Sequence, residues 1–65
     1  MSYRILYFRG GILEADTEVS TPDLVEAARQ ASSQHPHLTA EIWRENRKVA
    51  ICRPRPDHRF KDIPE

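Results

Sequence analysis

Sixty-five residues confine this chain to one small domain, because a chain of that length hides only about 60% of the surface its unfolded form exposes. Ten Lys and Arg balance ten Asp and Glu, so no bulk charge draws it to nucleic acid or to an anionic membrane. The single cysteine, Cys52, excludes an internal disulfide, and no apolar run nears the roughly 18 residues of a membrane helix. These features lead to the expectation of a soluble cytoplasmic protein without a membrane partner.

Tyr3 to Phe8 is rich in aromatic and β-branched residues, Gly10-Gly11 follows, and an alternating pattern resumes from Ile12 to Val19. Two glycines between two such runs predict a tight hairpin, since glycine takes positive φ at both central positions without strain. Ser20-Thr21-Pro22-Asp23 then starts a helix, with Thr21 as cap, Pro22 in the first turn and Asp23 complementing the dipole. Leu24, Ala27, Ala28 and Ala31 form one apolar stripe to about Gln34, and Pro36 ends the helix by restricting His35. Leu38 to Arg44 and Lys48 to Arg53 read as a second hairpin around Glu45-Asn46-Arg47, with Asn46 best suited to a left-handed turn position. Arg53-Pro54-Arg55-Pro56 leaves the sheet as an extended segment. The domain is expected over residues 1–53 and an extended tail over 54–65.

A strand with neighbours on both sides and cover on both faces loses its polar alternation. Ile5-Leu6-Tyr7-Phe8 and Val49-Ala50-Ile51-Cys52 have that character, whereas the second strand carries Glu14, Asp16 and Glu18, and the third Thr39 and Glu41. The expected fold is therefore α+β, with ββαββ element order and a mixed four-stranded sheet of order 2-1-4-3, its first and fourth strands parallel at the centre and the helix packed on one face. That topology resembles the β-grasp. The resemblance extends to no functional motif: sulfur carriers and ubiquitin-like modifiers use a terminal Gly-Gly where this sequence has Ile63-Pro64-Glu65, and ferredoxins need several cysteines.

Regular pairing outward from the glycine turn sets Phe8 against Leu13, Tyr7 against Glu14 and Leu6 against Ala15. Leu6, Phe8, Leu13, Ala15 and Val19 then share the helix-facing side with Leu38, Ala40, Ile42, Val49 and Ile51. Five of the 14 core positions counted with the helix stripe are alanine, which makes a core of small buried area. Tyr3, Ile5, Tyr7, Ile12, Trp43 and Cys52 fall on the open side, an aromatic patch large enough to call for cover. Arg53, Arg55, Arg59, Phe60 and Lys61 supply a basic tail with an aromatic anchor, complementary to the acidic second strand.

Little chemistry is visible beyond this. His35, His37, His58 and Cys52 lack the paired spacing of a zinc site, and no acid, base and nucleophile converge around Cys52. Neither a metal nor a cofactor is expected, nor an enzyme. The expected function is a protein-interaction module that forms a homodimer, or binds another protein, through its open face. The alternative is a nucleic-acid accessory protein using residues 44–61, where seven basic residues stand against two acidic ones.

Overall fold

A computed structural model describes residues 1–54 of the chain. The elements follow the order β1 (Ser2–Arg9), β2 (Ile12–Ser20), α1 (Leu24–Gln34), β3 (Thr39–Arg44) and β4 (Arg47–Cys52). All strand pairs are antiparallel and the sheet order is β2-β1-β3-β4. The mixed, β-grasp-like sheet of order 2-1-4-3 expected from the sequence is therefore incorrect. β1 does sit inside the sheet, but its second neighbour is β3, and β4 forms an edge.

The reason lies in what each strand buries. Ala40 and Ile42 of β3 are fully buried, whereas β4 has no fully buried residue. The apolar run Val49-Ala50-Ile51-Cys52 mimics a two-sided strand for a local reason. The ladder pairs Ile42 with Ala50 but Trp43 with Lys48, which leaves Val49 as the extra residue of a bulge, while Ile51 lies on the outer face at 43% exposure. Because β2 and β3 both run antiparallel to β1, they are parallel to each other, and α1 connects them across β1.

Gly10 and Gly11 take φ of 57° and 85°, which a tight hairpin of this kind requires. Arg9 pairs with Ile12 and Phe8 with Leu13, but the next pair is Tyr7 with Ala15, so Glu14 is also a bulge residue. That single extra residue reverses the phase of the rest of β2 relative to regular pairing. Tyr3, Ile5 and Tyr7 consequently face the helix together with Ala15 and Val19, and Leu6 and Phe8 face away.

The core contains Tyr3, Ile5, Tyr7, Ala27, Ala31, Leu38, Ala40 and Ile42, with Leu24, Ala28, Val49, Ala50 and Cys52 packed at its margin. Alanines on the helix bring α1 close to the sheet, and the bulk comes from the rings of β1. Fully burying one Ile side chain such as Ile5 contributes about 1.5–3 kcal/mol. The helix cap is Asp23, whose carboxylate accepts the Glu26 N–H at 3.0 Å. Thr21, expected as the cap, is buried and instead donates its hydroxyl to the Asp23 carbonyl at 2.9 Å, while its N–H donates to the Met1 carbonyl. No helix among the described residues is long and apolar enough to cross a membrane.

Candidate interaction surface

The helix covers one face of the sheet and nothing among the described residues covers the other. Along β1 the outer face presents Ser2, Arg4, Leu6 and Phe8. The ladder sets Glu18 and Trp43 on either side of Arg4, Asp16 and Glu41 beside Leu6, and Leu13 and Thr39 beside Phe8. On β4, Lys48 lies beside Trp43 and Ile51 beside Glu41. The outer face is thus an apolar group of Leu6, Phe8, Leu13, Trp43 and Ile51 crossed by a lattice of charges. Leu13 is 51% exposed, while Leu6, Phe8 and Trp43 are half-buried by their neighbours alone.

The charges hold one another in place. Arg4 donates from Nε and Nη2 to both oxygens of Asp16, at 3.0 and 2.6 Å. This two-point hydrogen bond holds the Asp16 carboxyl below its usual range and raises the Arg4 guanidinium. Glu41 accepts the indole N–H of Trp43 at 3.2 Å and lies 3.5 Å from the Lys48 ammonium, which fixes the orientation of the Trp43 ring. Ser2 donates its hydroxyl to Glu18, and Arg9 pairs with the bulge residue Glu14 at 2.7 Å.

At the end of the sheet where β1 begins and β3 ends, a groove of about 510 Å³ runs between Arg4, Leu6, Glu18, Trp43, Glu45 and Asn46. Glu45 adopts φ of 56°, the left-handed position expected for Asn46. Among the described residues neither Glu18 nor Glu45 pairs with a cation.

The six residues expected on the open face divide sharply. Tyr3, Ile5 and Tyr7 are buried beneath α1, and Cys52 is half-buried on that same side, so their assignment to an open surface is incorrect. Ile12 stands at the exposed hairpin tip, and Trp43 lies on the outer face. Leu6, Phe8, Leu13 and Ile51, expected in the core, are instead the apolar residues that lie with Trp43 on the outer face. The signal that identifies the two faces is charge: Arg4 alternates with Tyr3 and Ile5, and Asp16 and Glu18 alternate with Ala15 and Val19. Of the expected tail contacts, Arg53 is exposed, and Arg55, Arg59, Phe60 and Lys61 lie outside the described residues.

Beneath the helix, Tyr7, Ala40 and Cys52 occupy one row of the ladder. The Tyr7 ring packs edge-on against His35, the helix C-cap, with ring centroids 4.3 Å apart. Its hydroxyl is buried without a hydrogen-bond partner among the described residues, and burial first, then the nearby Cys52, raises the phenol above its usual range. Tyr3, by contrast, donates its hydroxyl to the Met1 sulfur. Among the described residues no three His, Cys, Asp or Glu side chains converge as a metal site.

Among the described residues, fold and surface define a small two-layer α+β arrangement, one helix on an antiparallel sheet whose second face they leave uncovered. No family model matches the chain, and searches of curated proteins and of solved structures find no significant match.

Proposed function

We propose that this protein is an interaction module that self-associates through the outer face of its sheet. The observation that carries this reading is the group Leu6, Phe8, Leu13, Trp43 and Ile51 on four adjacent strands, left uncovered by the described residues, in a domain whose described core is small. Covering such a surface recovers hydrophobic free energy that the single helix leaves ungained, and association couples that gain to folding. Carboxylates of Asp16, Glu18 and Glu41 lie among the apolar groups and oppose a nucleic-acid backbone on this face, which favours a protein partner.

Sedimentation equilibrium of the full chain at micromolar concentrations tests this directly. The expected mass is twice the 7.6 kDa of one chain, returning to one chain in Phe8→Glu with the helical circular dichroism retained. A wild-type chain that stays at 7.6 kDa up to the highest accessible concentration overturns the reading.

A further inference from the structure

Self-association leaves open what seats in the groove beside Trp43, and charge singles out an occupant. Its carboxylates Glu18 and Glu45 make no ion pair within 4 Å among the described residues, and the Trp43 ring, oriented by Glu41, lines the groove with them. Arg4, which stands between Glu18 and Trp43 on the ladder, is held by both oxygens of Asp16, so the groove keeps an excess of negative charge. An indole face flanked by carboxylates is a receptor for a guanidinium or ammonium group, since ring quadrupole and anions attract the same cation. The chain itself carries the complement. Residues 53–61 contain Arg53, Arg55, Arg59 and Lys61 against the single acid Asp57, in a protein of zero formal charge.

The position of that segment bears on which groove it meets. Cys52, the last residue of β4, pairs with Ala40 at the level of Tyr7, whereas the groove lies at the level of Arg4, Trp43 and Lys48. The two are at opposite ends of the sheet, about 13 Å apart along the strands for four residues of β4. Returning to its own groove requires a reversal immediately after Cys52, which Pro54 opposes by restricting Arg53 to extended backbone. When two outer faces stack with strand directions opposed, the end of one β4 lies over the beginning of the other copy's β4, at the groove end of that sheet and one strand from Trp43, across a gap of about 10 Å. The eleven residues 55–65 span that gap easily at about 3.3 Å each.

We infer that the basic segment 53–61 of one copy docks in the Trp43 groove of a second copy, with its arginine or lysine side chains against the indole and the carboxylates Glu18 and Glu45, and that the exchange is reciprocal. This rests on the self-association proposed above and adds the segment that makes it specific.

A charge exchange in the full-length protein tests it. One variant carries Glu18→Lys and Glu45→Lys, the other Arg55→Glu, Arg59→Glu and Lys61→Glu. Glu18 and Glu45 are exposed, and circular dichroism verifies that each variant folds. Each alone is expected to self-associate about tenfold or more weakly than wild type, because like charges meet at the groove. Mixed in equal amounts, the two are expected to recover a mixed dimer, with a change in Trp43 fluorescence on mixing. If both variants associate like wild type, the segment is not in the groove, although the outer-face dimer stands. Failure of the mixture to recover association overturns exchange between copies. A wild-type chain that is monomeric throughout instead removes the proposal on which this one rests.

Discussion

The two faces of this sheet are drawn from the same strands and contain similar numbers of large apolar side chains, yet only one is a core. The inner face is free of charge from edge to edge: Tyr3, Ile5 and Tyr7 on β1, Ala15 and Val19 on β2, Ala40 and Ile42 on β3. Leu6, Phe8 and Trp43 on the outer face are comparable in size, but Arg4, Asp16, Glu18 and Glu41 lie between them. The apolar stripe of α1 offers those charges no polar partners and would leave them to carry their full desolvation cost, whereas a second outer face can meet them with opposite charges, so the helix takes the neutral face although its apolar residues include two tyrosines. The lesson is that charge between the apolar side chains, more than their bulk, decides which side of a strand becomes interior.

The contrast can be broken most directly from inside. Ile42→Ala removes a fully buried side chain and is expected to destabilise by about 2–5 kcal/mol, enough to unfold much of a domain this small. Urea denaturation with an unchanged slope would establish it. On the outer face, Leu13→Ser should leave monomer stability within about 0.5 kcal/mol while weakening association. An equally large loss at both positions would erase the distinction between the faces.

Two substitutions should increase stability. Tyr7→Phe deletes a buried hydroxyl without a partner and keeps the ring packed on His35, for an expected gain of about 1 kcal/mol in thermal or chemical unfolding. The same variant should alter the alkaline limb. The folded-state phenol is raised, so its contribution to stability is complete below the unfolded tyrosine range and is lost as pH rises through the folded value; Tyr7→Phe should flatten that loss. Glu45→Gly relieves a left-handed backbone at a non-glycine residue and should stabilise by about 1 kcal/mol. It should also weaken association, separating the stability of the turn from the use of its carboxylate.

The smallest effect concerns the exposed Arg4–Asp16 pair. Asp16 is depressed in the folded state, so its stabilisation is present above the unfolded carboxylate range and is lost as pH falls through the folded value. Asp16→Asn should remove that acid-side slope with a shift in melting temperature that shrinks further as salt rises. A slope unchanged by the substitution would show that the pair contributes nothing in solution.

Local signals in the sequence carried far, and register did not. The Gly10-Gly11 turn follows from glycine at two adjacent positions, and the stripe Leu24, Ala27, Ala28 and Ala31 follows from helical spacing, because each depends on residues close in sequence. The bulges at Glu14 and Val49 are different: each is an extra residue accommodated between strands, and nothing at positions 14 or 49 alone distinguishes it from a regular ladder residue. One unrecognised bulge was sufficient to invert the faces of β1 and move Tyr3, Ile5 and Tyr7 from an open surface to the core. Strand order failed for a related reason, since bulged and outward residues gave β4 the composition of a central strand. The Trp43 groove is assembled from β1, β2, β3 and the turn after β3, a juxtaposition visible only once the order β2-β1-β3-β4 is known.

The bulge at Glu14 works as a phase shifter between two rigid clocks. The glycine turn sets which way Phe8 and Leu13 point, and the helix sets which way Tyr7 and Ala15 point. On a regular ladder these settings conflict, because satisfying the turn would send Asp16 and Glu18 under the helix. One residue of slack reconciles them, so the tip and the body of the hairpin can each satisfy their own constraint while the chain between them absorbs the difference.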